Sequence, residues 1–135
     1  MAFIKWLDHY NINIKEIDRQ HQHLLQLINK IYEAVVAESE KSTLSRLLNE
    51  LSDYSTYHFK TEEEMFSVHG YPGAEIHKQQ HNYLSLQLLK LITDFEYDQL
   101  VISFDVLIFL NDWYVNHILV SDKKFSHFFN ARGIF

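Results

Sequence analysis

The chain has no cysteine, one proline and three glycines in 135 residues. Without cysteine there is no disulfide framework, no thiolate zinc or iron–sulfur site and no thiol nucleophile. So little glycine and proline leaves little turn chemistry, which predicts a chain made mostly of long helices. Lys and Arg form no run and the net charge is −6, which argues against nucleic acid or an anionic membrane as partner. The most apolar stretch, 100–110, is interrupted by Asp105 and falls far short of spanning length. Met1 to His9 carries Lys5 and Asp8 inside any apolar run, unlike a secretory signal. The expectation is one soluble, cytoplasmic, monomeric domain of ordinary size, large enough to bury its own core.

What the chain does have is histidine: nine in all. Four segments show helical periodicity. The first opens near Asp18 and runs to about Glu38, with Ile17, His21, Leu24, Leu25, Ile28, Tyr32 and Val35 on one stripe. The second runs from about Thr43 to Val68, aligning Leu44, Leu47, Leu48, Leu51, Ser55, His58, Glu62 and Met65. Gly70-Tyr71-Pro72-Gly73 breaks the pattern. The third covers about Ala74 to Phe95, with His77, His81, Leu84, Leu88, Leu91 and Phe95 inward. Asp98 is a candidate N-cap for the fourth, which carries Val106, Leu110, Trp113 and His117. A short amphipathic piece, Asp122 to Phe129, follows.

Helices of about 20 residues, each about 30 Å long and joined by short links, imply antiparallel neighbours. The predicted fold is all-α: an up-down-up-down four-helix bundle over residues 18–121. An N-terminal arm, 1–17, is anchored by Trp6, Tyr10, Ile12 and Ile14, and a short terminal helix and tail occupy 122–135.

Five histidines, His21, His58, His77, His81 and His117, fall on core stripes, so every helix contributes inward nitrogen. Glu62 sits on a core stripe one turn after His58. A buried unpaired carboxylate costs several kcal/mol or else protonates, and no Lys or Arg lies on those faces. A metal ion resolves both oddities, since bundles build metal sites from side chains on facing helices. Each pair alone, His77-x-x-x-His81 or His58-x-x-x-Glu62, is also compatible with satisfied core residues. Asp122 follows His117 by five positions, about 140° around an ideal helix. It either caps the terminal helix or joins the site through a distorted helix.

Together the residues resemble the hemerythrins, specifically the single-domain bacterial ones. The resemblance runs through Trp6…Tyr10, Ile17-Asp18-Arg19-Gln20-His21, His58-Phe59-Lys60-Thr61-Glu62-Glu63 and Gly70-Tyr71-Pro72. It continues through His77-x-x-x-His81 and Trp113-Tyr114-Val115-Asn116-His117-Ile118 to Asp122. It implies two iron ions (Fe2+/Fe3+), one held by His77, His81 and His117, the other by His21 and His58 with one position open. Glu62 and Asp122 would bridge them beside an oxo or hydroxo group. It implies reversible O2 binding, as hydroperoxide, for storage, delivery or sensing. A diiron oxidase, peroxidase or nitric-oxide-handling enzyme, or an iron-buffering or signalling protein, are the alternatives on the same scaffold. Leu24, Phe59, Trp113 and Ile118 match family O2-pocket positions, and packing alone would equally justify them. Tyr114 departs from the leucine usual after this tryptophan. Its hydroxyl would face either the open position or a backbone carbonyl.

Overall fold

The computed structural model describes residues 3–135, except for the side chains of 118 and 119. Its main helices are α1 (Lys15–Val36), α2 (Lys41–His69), α3 (Ala74–Glu96) and α4 (Phe104–Asn116). They form the expected up-down-up-down bundle, α2 packing on α1 and α3, and α4 on α1. A π-helical turn, His117–Asp122, joins α4 to α5 (Lys123–Asn130).

Helix α1 starts three residues before the expected Asp18. The Asp18 carboxylate, already inside the first turn, reaches back to accept from the Ile12 N–H at 2.8 Å. Asn13 takes a left-handed φ of 65°, which asparagine tolerates better than most residues, and this turns the arm into α1. The arm lies across the bundle as expected. Tyr10, Ile12 and Ile14 are buried, and the half-buried Trp6 packs edge-on against Tyr10. Ile4 and the Asn29 side chain exchange two hydrogen bonds at 2.8 and 2.9 Å.

One expectation at a helix end needs correcting. Asp98 does not cap α4. It has φ 59° and closes α3 instead, with its N–H on the Phe95 carbonyl and that of Gln99 on Asp94. Helix α4 begins only at Phe104, after an extended Ser103. Of the two roles left open for Asp122, the structure does not show the capping one: its backbone is ordinary right-handed helix and its side chain makes no capping bond. Helix α2 behaves as predicted at its end. Gly70 adopts φ 64°, the conformation glycine takes at least cost, and Tyr71 N–H bonds back to Phe66. Near that end Phe66 is buried and Met65 only partly so, because 3.6-residue periodicity drifts along a 29-residue helix.

Among the described residues the interior has two apolar clusters. The larger is built from Leu24, Ile28, Ile31, Leu48, Leu51, Leu107, Leu110 and their neighbours. The smaller joins Ile12, Ile14 and Ile17 to Phe66, Phe125 and Phe129. Hydrogen bonds tie the arm to α5: Ser126 Oγ donates to the Ile12 carbonyl, and Asn130 to that of Asn13.

Candidate metal centre

Seven polar side chains meet inside the bundle: His21 from α1, His58 and Glu62 from α2, His77 and His81 from α3, His117 and Asp122 from the π turn. All are buried. Heptad-like spacing aims the first five inward, each pair within α2 or α3 standing one turn apart. The last two need the distortion. In the π turn each loop of chain holds an extra residue, so positions five apart share a face, and such turns recur at functional sites. The structure therefore brings Asp122 into the cluster with the other six.

Every histidine presents Nε2 to the centre, and the two carboxylates straddle it. Glu62 Oε1 lies 2.9 Å from His81 Nε2 and 3.2 Å from His77 Nε2. Its Oε2 lies 3.0 Å from His58 and 3.8 Å from His21. Asp122 divides the same way, with Oδ1 3.0 Å from His77 and Oδ2 2.6 Å from His21. Each carboxylate thus offers one oxygen to each group of imidazoles. His117 lies between the groups, 3.1 Å from Asp122 Oδ2 and 3.3 Å from His58 Nε2. Two sets of possible ligands result: His21, His58, Glu62, His117 and Asp122, and His77, His81, His117 and Asp122.

The protein's own protons do not satisfy this cluster. Burial lowers the His21 imidazole to about 4 and His81 to about 2, so both are neutral at pH 7. Burial opposes charge on His77 as well, yet the Asp122 and Glu62 carboxylates beside it raise it to about 8. Burial and the neighbouring Asp122 raise Glu62, whereas Asp122, despite burial, is held low by His117 and its other partners. His21 and His58 face each other nitrogen to nitrogen at 3.1 Å. Glu62 Oε2 and Asp122 Oδ1, though close to imidazoles, lack hydrogen-bond alignment and are unpartnered. Orphaned buried carboxylate oxygens among converging nitrogens fit a cation. Imidazole nitrogen with carboxylate oxygen, and no sulfur, is a donor set suited to iron.

The outward Nδ1 atoms differ. His58 Nδ1 meets Gln20 Oε1 at 2.8 Å, and His81 Nδ1 meets Glu63 Oε2 at 2.9 Å. Both acceptors require an Nδ1–H, which leaves Nε2 bare toward the centre. Neither Gln20 nor Glu63 had been assigned a role. The signal was their position, each beside a core-stripe polar residue in chain order.

Tyr114 is 1% exposed, and its hydroxyl donates to the His21 carbonyl at 2.6 Å. Of the two orientations open to it, the structure has the backbone one. Phe59 stacks on His81 with ring centroids 4.1 Å apart, Leu24 is buried in the larger cluster, and Trp113 Nε1 donates to the Leu84 carbonyl. The Ile118 side chain lies outside the described residues.

The Hemerythrin HHE cation binding domain family matches residues 13–127. The chain belongs to the hemerythrin family. Among curated hemerythrin relatives, the bacteriohemerythrin of Methylococcus capsulatus is 30% identical over 93% of this chain and 96% of its own. That of Stenotrophomonas maltophilia is 29% identical over 93% of this chain and 81% of its own. A crystal structure of wild-type hemerythrin superposes with a TM-score of 0.86 at 29% identity, covering 93% of this chain and 97% of the other. A leucine-to-tyrosine mutant of hemerythrin gives 0.87 at 30% identity, covering 94% and 97%. Among the described residues no helix of this hemerythrin is long and apolar enough to cross a membrane.

Proposed function

We propose that this hemerythrin holds two iron ions and binds O2 reversibly, acting as a carrier, store or sensor. The observation that carries the reading is the straddling pair, Glu62 and Asp122, each presenting one oxygen to either imidazole group. His77, His81 and His117 would hold one ion, and His21 and His58 the other, whose fewer ligands leave a position for O2. Two irons together can supply the two electrons needed to hold O2 in a reduced form and take them back on release.

The chain's own part is to bind, orient and exclude water. Five imidazoles that present Nε2 to the centre, those of His58 and His81 held with it bare, and two carboxylates would supply the ligands. Leu24, Phe59 and Trp113 would keep the surroundings apolar, which opposes loss of bound O2 as a reduced product. The Tyr114 hydroxyl, committed to the His21 carbonyl, holds the α1 backbone and supplies no proton.

Iron content, with visible spectra through cycles of O2 addition and removal, tests the reading. Two irons per chain and a charge-transfer band that comes and goes with O2 are expected. A band that forms once and is consumed, with turnover of a reductant, would assign an oxidase. Glu62→Ala should lose at least one of the two irons, and an unchanged iron count would overturn the bridging role.

A further inference from the structure

The outward contacts of His58 and His81 are chemically unequal. Gln20 is wholly buried. Its amide nitrogen donates to Glu16 Oε1 at 2.9 Å and to Thr61 Oγ1 at 3.3 Å, which turns its oxygen toward His58. The His58 imidazole is therefore oriented by a neutral group. His81 is oriented by the Glu63 carboxylate, 30% exposed at the side of a cleft of about 280 Å³ that also reaches Lys60 and Asn82. A carboxylate on the far nitrogen pushes electron density onto the ligating one, whereas an amide only orients it.

Building on the ligand set proposed above, we infer that Glu63 strengthens the metal position formed by His77 and His81, so that the two positions fill in order. The position supported by Glu63 fills first. The His21–His58 position, with fewer imidazoles and the neutral Gln20 behind it, fills second. Glu63 is a positioning residue: it touches no metal and acts through His81. The consequence is a chain that binds one metal ion firmly while the second is gained and lost more easily.

Anaerobic titration of the metal-free chain with Co2+, followed by visible absorption and metal counting, reads the two steps separately. The wild type is expected to take up two ions in two resolved steps. Glu63→Gln should weaken the first step about 10- to 100-fold and leave the second in place, and Glu63→Asp, which keeps the charge, should recover part of the loss. Gln20→Glu should tighten the second step and draw the two together. Circular dichroism of each metal-free variant confirms the same helix content. Two ions bound by the wild type, with an unaltered first step in Glu63→Gln, would overturn the ordering alone. A wild-type chain that takes up fewer than two ions overturns the paired-metal reading and the ordering with it.

Discussion

On one side of the histidine layer the interior is largely aliphatic; on the other, phenylalanine rings pack among isoleucines. The aliphatic side interlocks α1, α2, α3 and α4 through leucines and isoleucines at regular spacing. The aromatic side is assembled from pieces distant in the chain: the arm, the end of α2 and α5. Phe125 faces Phe66 at 5.1 Å and the His77 ring at 5.4 Å, and Phe66 faces that ring at 5.1 Å. The leucines and isoleucines of the aliphatic side carry stability, with Phe59, stacked on His81, as that side's contact to the polar cluster, whereas the aromatic side carries stability and packs on His77, a proposed ligand.

Substitutions on the two sides should separate those roles. Phe125→Ala should cost about 4 kcal/mol and also reduce metal retention, because His77 loses a packing surface. Leu107→Ala, equally buried, should cost about 3 kcal/mol and leave the metal count unchanged. Denaturant melts beside metal analysis check both, and equal metal loss in the two variants would erase the distinction.

Acid tests the layer between them. The unfolded chain has imidazoles near 6.5, whereas burial holds folded His21 near 4 and His81 near 2. Below pH 6.5 the unfolded state therefore binds more protons at these two sites. Glu62, raised in the folded chain, offsets one of them. His77, raised to about 8, gives a contribution complete below 6.5 and lost as the pH rises through 8. The metal-free chain should lose on the order of 3 kcal/mol between pH 6.5 and 4. Stability that rises over that range would contradict the neutral histidines.

The smallest effect belongs to Tyr114. Tyr114→Phe removes one buried hydrogen bond and should cost about 1 kcal/mol. Releasing the His21 backbone should alter the rate at which the iron-loaded protein oxidises in air. Unchanged oxidation rates in Tyr114→Phe and Tyr114→Leu would reduce the tyrosine to a packing residue.

The aliphatic side was legible in the sequence because a period of 3.6 residues directly reports which face is buried. The inward histidines and Glu62 stood out for the same reason, as polar residues on apolar stripes. Asp122 did not: its 140° offset from His117 vanishes only through a backbone distortion that no periodicity announces. Asp98 was misplaced because an acid between two helices suits either the closing turn of one or the cap of the next. Gln20 and Glu63 went without roles because a hydrogen bond to the back of a ring depends on distances between helices.

From the last residue of the π turn into α5, Asp122, Phe125 and Phe129 stand at positions i, i+3 and i+7, one stripe of continuous helix. Turning that helix turns all three together. Rotating the helix far enough to carry the carboxylate out of the cluster would lift both aromatic rings off the bundle. A metal held by the carboxylate should therefore also steady the tail, and the amide hydrogens of α5 should exchange more slowly when metal is bound.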